Sequence, residues 1–117
     1  MGNYRDLQAW KASQALAVIT YRVTSKFPSA ERFGLTAQMR RAAVSIASNI
    51  AEGAGRGSDA QLANFLHIAR GSLRELECQS LLSVELGLTT ADAMSDLLEA
   101  NEKVGKLLHG LIRAVGG

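Results

Sequence analysis

The stretch from Gln38 to Arg56 constrains the fold most, because it reads as one helix with two apolar faces and a narrow polar stripe. At 100° per residue, one row consists of Leu35, Met39, Ala42, Ile46 and Ile50, and a second, nearly opposite row consists of Ala37, Val44, Ala47 and Ala51. Arg40 interrupts the second row. A surface helix needs only one apolar face, so this pattern predicts contacts with more neighbours than one small bundle supplies.

The whole chain predicts an all-α protein, an antiparallel up-down-up-down four-helix bundle forming a single domain over residues 1–117. Its apolar content of 47% suffices for a core, and a single proline with few aromatic residues favours helices over strands. The helices are expected from an Asp6 cap to about Lys26, from Gly34 to about Glu52, from the Ser58 capping box to Leu86, and from a cap within residues 89–92 onward. Short connections favour antiparallel neighbours.

The first helix resembles the second in carrying broad apolar surface. One stripe consists of Ala9, Ala12, Leu16, Ile19 and Val23, and another, well over 90° away, consists of Leu7, Trp10, Ala17 and Tyr21. Extensive exposed apolar surface usually marks an interface, so we expect a homo-oligomer. The interface residues predicted from this pattern are Trp10, Tyr21, Val44 and Ala47.

The termini and the cysteine content predict a soluble, cytoplasmic protein without a membrane partner. The N-terminus has charges where a secretory signal needs an apolar run, and no stretch approaches the roughly 20 apolar residues of a membrane span. Cys78 is the only cysteine and has no internal disulfide partner, which favours a reducing compartment. Because Cys78 falls in an apolar helical stretch, we expect it to be buried.

No constellation of residues predicts catalysis, a metal site or a cofactor. A dinuclear site in a four-helix bundle needs Glu-x-x-His pairs, but His67 and His109 follow Asn64 and Lys106 at that spacing. The serines of the second helix have no histidine in that helix to act as a base. The sequence therefore predicts a non-enzymatic protein.

Arginines supply the strongest candidate for a binding function. The net charge of +2 and the pI near 9.0 permit an anionic partner, and Arg40, Arg56 and Arg74 are the predicted nucleic-acid-binding residues. A structural polar network is predicted from Arg41, Asn49, Glu52 and Arg70. An internal or intersubunit ion network competes with a nucleic-acid surface for these arginines. Aromatic residues do not alternate with them along the chain, as a base-stacking site would favour.

Several blocks of sequence, in order, resemble a known family. They are Tyr4-Arg-Asp-Leu-Gln-Ala-Trp10, Phe33-Gly-Leu-Thr-Ala-Gln-Met-Arg-Arg-Ala-Ala-Val-Ser-Ile46, Ser48-Asn-Ile-Ala-Glu-Gly53 and Ala69-Arg-Gly-Ser-Leu-Arg-Glu-Leu-Glu77. Together they resemble the four-helix-bundle family encoded in 23S ribosomal RNA intervening sequences. The resemblance implies a bacterial bundle, commonly a homopentameric ring. It also implies a fold related to the accessory variability protein of diversity-generating retroelements, which binds nucleic acid and a reverse transcriptase.

Two functions follow as expectations. The first is a non-enzymatic oligomeric module that binds RNA or DNA through surfaces bearing arginines. The alternative is a protein-interaction scaffold without nucleic-acid binding. Salt distinguishes the two, because phosphate contacts release counterions and weaken steeply as the salt concentration rises.

Overall fold

The computed structural model describes residues 3–117, and it folds them into four helices. The helices are α1 (Gln8–Thr24), α2 (Leu35–Ala54), α3 (Asp59–Glu85) and α4 (Ala91–Ala114), with short 3-10 turns at Tyr4–Asp6 and Ser29–Glu31. Each helix packs against its two neighbours in the order α1, α2, α3, α4 and back to α1, while the diagonal pairs do not pack. The predicted up-down-up-down bundle is confirmed. The α1–α2 and α3–α4 sides are therefore opposite faces of the molecule.

Most helix ends lie where the sequence predicts them. The Ser58 hydroxyl accepts a hydrogen bond from the Gln61 amide at 3.2 Å, and the Thr90 hydroxyl caps α4 in the same way at 3.0 Å. The predicted start of α1 is wrong, because Asp6 lies in the preceding 3-10 turn and α1 follows Leu7, which makes no side-chain cap. At its other end α1 stops at Thr24, short of the expected Lys26.

The core takes side chains from all four helices. Helical spacing predicts an α3 core stripe of Leu62, Leu66, Ala69, Leu73 and Leu76, and all five are buried. The first apolar row of α2 is also buried, as is the α4 face that includes Leu97 and Leu108. The α1 stripe differs from the prediction: its buried residues are Ala9, Ser13, Leu16, Thr20 and Thr24, whereas Ala12, Ile19 and Val23 are only partly buried. The core face of α1 thus contains three hydroxyl residues.

These hydroxyl groups are buried without cost to the bundle, because each donates to a carbonyl of its own helix. Ser13 Oγ donates to the Ala9 oxygen at 2.7 Å, and Thr20 and Thr24 repeat the pattern four residues back at 2.8 and 2.7 Å. A buried hydroxyl that has its partner escapes the desolvation penalty of an unpaired one. The face that α1 turns to the core therefore behaves as apolar.

Five side-chain hydrogen bonds join neighbouring helices, two between α1 and α2, two between α2 and α3 and one between α3 and α4. Arg40 Nε on α2 donates to Thr24 Oγ1 on α1 at 3.0 Å. The hydroxyls of Ser45 and Ser72 lie 2.9 Å apart between α2 and α3, and buried Asn101 Nδ2 on α4 donates to the Leu73 carbonyl on α3 at 3.2 Å. Each bond fixes the alignment of one helix pair.

Close packing between α2 and α3 depends on Gly53. A Cβ at this position would lie 2.7 Å from the Phe65 Cβ and 3.1 Å from a methyl group of Leu62. Real Cβ atoms do not approach so closely, so a larger residue would push the two helices apart where the chain turns from α2 into α3.

Cys78 corrects one expectation, because its side chain is exposed on α3 and not buried. The hydrophobic stretch around it covers the core with Leu73 and Leu76 and leaves Cys78 on the outer side. Among residues 3–117, no helix combines the length and the apolar character that a bilayer crossing requires.

Candidate nucleic-acid interface

The α1–α2 side of the bundle carries a groove of about 600 Å³ lined by aromatic and cationic side chains. We call it the aromatic–arginine surface, and it comprises Tyr21, Arg32, Phe33, Arg40, Arg41 and Val44. Helix α1 supplies Tyr21, the connection before α2 supplies Arg32 and Phe33, and the outer side of α2 supplies the rest. Phe33 is 83% exposed, although a large aromatic side chain would lower its free energy by burial.

Two of the arginines lie over the two aromatic rings. The Arg40 guanidinium carbon is 4.5 Å from the centroid of the Tyr21 ring, and that of Arg32 is 4.8 Å from the centroid of the Phe33 ring. The hydrogen bond from Arg40 to Thr24 fixes the first of these stacks against α1. A guanidinium over a ring face gains electrostatic attraction and keeps its N–H groups available at the edges.

Among residues 3–117, no carboxylate forms an ion pair with these arginines, and the carboxylate that shares a neighbouring groove with Arg41 is that of Glu75. Within residues 3–117, Arg32, Arg40 and Arg41 have no Asp or Glu oxygen within 4 Å, since the ion pairs found there are Arg56–Glu52 and Lys106–Glu102. Three cations on one groove create a local positive field, although the net charge of the chain is only +2.

The other two arginines predicted for nucleic-acid binding lie elsewhere. Arg56 follows α2, pairs with Glu52 at 3.1 Å and stacks on the Phe65 ring at 5.0 Å. Arg74 lines a groove between α3 and α4, on the opposite face from Arg40. The structure therefore does not bring Arg40, Arg56 and Arg74 together on one surface.

Sequence reasoning missed Arg32 and Phe33, and it found no aromatic residues among the arginines. The sequence places an arginine beside an aromatic residue at Arg32-Phe33, before Gly34. Because this segment is a polar turn, the sequence does not show which side of the bundle these two side chains face. Tyr21 is 19 residues from Arg40 along the chain, and only the packing of α1 on α2 places its ring under that guanidinium.

The four residues of the predicted polar network are not joined in the structure. Asn49 Nδ2 donates to the carbonyl and hydroxyl oxygens of Ser45 at 2.8 and 3.0 Å, which extends the Ser45–Ser72 contact. Arg70 instead donates to His67 Nδ1 at 3.0 Å. The remaining two members are exposed: Glu52 pairs with Arg56, and Arg41 lies in the aromatic–arginine surface. In the single chain Glu52 therefore forms an exposed ion pair, and helical spacing alone does not reveal this exposure.

The predicted interface residues differ in how much surface they offer. Tyr21 and Val44 are each 45% exposed and neighbour one another on the aromatic–arginine surface. Trp10 is partly buried and meets the Tyr4 ring edge-on, with centroids 5.2 Å apart. Ala47 is a correction, because at 4% exposure this small side chain has almost no surface left to offer a second copy.

The groove between α3 and α4 has a volume of about 410 Å³ and a different chemistry. We call it the α3–α4 groove, and the side chains that matter below are Arg70, Arg74, Glu77, Asn101, Glu102 and Lys106. Glu102 pairs with Lys106 at 3.5 Å, so cations and carboxylates alternate here. Asn101 is 4% exposed and belongs to the buried part of the lining.

Metal ligation finds no support among the described residues. In residues 3–117, no three His, Cys, Asp or Glu side chains are grouped as a metal ion would require. His67 and His109 lie on different helices, and His67 contacts an arginine.

Comparison with known proteins agrees with the architecture. A comparison with curated proteins gives no match. The family model of the 23S rRNA-intervening sequence protein matches residues 5–110, which include the aromatic–arginine surface, most of the α3–α4 groove and all but the last residues of α4. This match spans most of the chain, and the chain therefore belongs to the 23S rRNA-intervening sequence protein family.

Proposed function

We propose that this protein is a non-enzymatic, oligomeric helical-bundle module that binds single-stranded nucleic acid through the aromatic–arginine surface. One observation carries the proposal: three arginines without carboxylate partners lie beside two exposed aromatic rings, in one groove. This combination is what sequence-tolerant binding of single strands requires, because the cations attract the phosphates and the rings stack with bases.

The geometry supports stacking on Phe33 in particular. Phe33 is 83% exposed, and the guanidinium carbon of Arg32 lies 4.8 Å from the centroid of its ring. A base stacked on the free area of the ring would bring its phosphate within reach of Arg32 or Arg41. Arg40 is held between Tyr21 and Thr24, so its remaining N–H groups form a fixed donor edge.

Self-association is supported by a second set of exposed apolar residues, which lies on α3 and at its C-cap. These residues are Ile68, Leu81, Leu82 and Leu86, each about half exposed. Apolar surface beyond what a monomer needs is typical of interfaces between proteins. A pentamer, which the family resemblance implies, would multiply the +2 charge of each chain to about +10 and would strengthen attraction to a polyanion.

The second candidate is a protein-interaction scaffold. The observation in its favour is that Tyr21, Phe33 and Val44 are exposed together, since a protein partner could cover these side chains as well as nucleic acid could. The two candidates predict different responses to the loss of positive charge.

The deciding experiment measures binding of a labelled single-stranded RNA at about 50 mM and about 200 mM salt. The test variant carries Arg32→Gln, Arg40→Gln and Arg41→Gln. The control carries Lys11→Gln, Lys103→Gln and Arg113→Gln, three exposed cations outside the surface. Both variants change the formal charge from +2 to −1, because each loses three cations (+2 − 3 = −1).

We expect the wild type to bind RNA at the lower salt and to lose affinity as salt rises. The test variant should bind more weakly and with a flatter salt dependence than the control, because only its arginines contact phosphates. Light scattering on the same samples should show one common oligomeric state. Equal losses in the two variants, or no RNA binding by the wild type, would favour the scaffold.

A further inference from the structure

The α3–α4 groove lies on the face opposite the aromatic–arginine surface, and the proposed function does not use it. Its volume of about 410 Å³ falls within the range of small-molecule sites in proteins, which begins at about 300 Å³. Five of its nine lining residues are charged, and Leu73 and Gly105 contribute apolar surface.

Three cations converge on this groove from two helices. Arg70 and Arg74 are one helical turn apart on α3, and Lys106 faces them from α4. Arg70 is partly buried and donates to His67 Nδ1 at 3.0 Å, which holds its side chain in place before a ligand arrives. Arginine and lysine together suit a phosphate, because the guanidinium can bind two oxygens and the ammonium supplies a point charge.

Acceptors occupy the rest of the groove. Asn101 is 4% exposed and uses its Nδ2 to bond the Leu73 carbonyl, and no described residue donates a hydrogen bond to its Oδ1. Glu77 and Glu102 add two carboxylates. Glu102 already pairs with Lys106, and a free phosphate ion would leave Glu77 and Asn101 Oδ1 to water, whereas a ligand that also carries hydroxyl or amino groups would donate to them directly.

The same carboxylates argue against a nucleic-acid strand in this groove. Successive phosphates of a strand would pass Glu77 or Glu102, and like charges at close range repel. A molecule with one phosphate group would avoid that repulsion. The three cations and two carboxylates leave a local excess of one positive charge, which suits a ligand of low negative charge.

We propose that the α3–α4 groove binds a small phosphorylated molecule of mononucleotide size, with its phosphate among Arg70, Arg74 and Lys106 and its hydroxyl or amino groups on Asn101, Glu77 and Glu102. This site is separate from the nucleic-acid surface, and either proposal can fail without the other.

Isothermal titration with adenosine monophosphate, adenosine and inorganic phosphate tests the site on the full chain. The variants are Arg74→Gln and Lys106→Gln, both at exposed positions, and the matched control is Arg22→Gln on α1. We expect adenosine monophosphate to bind the wild type and the control equally, and each groove variant to bind it about tenfold more weakly. Circular dichroism should show the same helix content in all four proteins.

Four results would overturn the proposal. Adenosine binding as tightly as its monophosphate would remove the role of the phosphate. Inorganic phosphate binding as tightly as the nucleotide would remove the role of the acceptors. An absence of measurable nucleotide binding at millimolar concentration, or an equal loss in the Arg22→Gln control, would show that the groove is not the site.

Discussion

The α1–α2 and α3–α4 sides of this bundle each present three basic side chains, but their surroundings give them different chemistry. On the α1–α2 side, Arg32 and Arg40 lie over aromatic rings and no carboxylate lies within 4 Å of them. On the α3–α4 side, Lys106 pairs with Glu102, and Glu77 shares the groove. The first arrangement suits a long polyanion with stackable bases, and the second suits a small ligand with mixed polarity. Counting arginines along a sequence cannot separate these two cases.

The strongest test of this contrast removes the aromatic rings. The double variant Tyr21→Ala with Phe33→Ala should lower the affinity for single-stranded RNA by about 30-fold or more, because each stacked base contributes about 1 to 3 kcal/mol. Electrophoretic mobility shifts at low salt measure the loss. Val18→Ala is the control, since Val18 is about half exposed and lies outside the surface. An equal loss in the control would show that any exposed apolar side chain matters, and the contrast between the faces would fail.

A smaller effect, on stability alone, is expected on the other face. Asn101→Ala removes the buried bond to the Leu73 carbonyl and should lower the free energy of unfolding by about 1 to 1.5 kcal/mol, while RNA affinity stays the same. Urea denaturation followed by circular dichroism measures the change. Asn64→Ala, at an exposed position on α3, should leave the midpoint of the urea transition nearly unchanged. Equal midpoints for the two variants would mean that the Asn101 bond contributes nothing.

The smallest expected change in stability concerns the two ion pairs, Arg56–Glu52 and Lys106–Glu102. Glu52→Gln and Glu102→Gln should each change the free energy of unfolding by no more than about 0.5 kcal/mol, because both pairs join exposed side chains one helical turn apart. The same urea titration applies. A cost of several kcal/mol for Glu52→Gln alone would show that this carboxylate is buried in the assembled protein.

Sequence periodicity was sufficient for the fold and for most helix ends. The Ser58 cap and the leucine stripe of α3 are confirmed, because both depend on spacing within one helix. Hydroxyl residues misled the prediction for α1: Thr20 and Thr24 count as polar in a sequence pattern, but each satisfies its hydroxyl on its own backbone and packs in the core. The exposure of Cys78 shows the converse, since an apolar stretch of helix still has an outer side.

The candidate site was only partly predictable, because it depends on contacts between distant segments. Arg40 was identified from the sequence, but its bond to Thr24 and its stack on Tyr21 require α1 and α2 to be docked. Phe33 belongs to a connection without helical periodicity, so no pattern indicated which way its ring faces. The family match assigns residues 5–110 to the family, and these surface contacts come from the structure.

The five side-chain hydrogen bonds between helices have a mechanical consequence. They join α1 to α2, α2 to α3 and α3 to α4, but among residues 3–117 no side-chain hydrogen bond or ion pair joins α1 to α4. Helices α1 and α4 are therefore held together by apolar contacts. The buried hydroxyls of α1 donate to carbonyl groups of α1 and do not bond to α4. Separating α1 from α4 would expose apolar side chains to water without breaking a side-chain hydrogen bond or ion pair among residues 3–117. The bundle can therefore open between these two helices while the other three helix pairs stay joined.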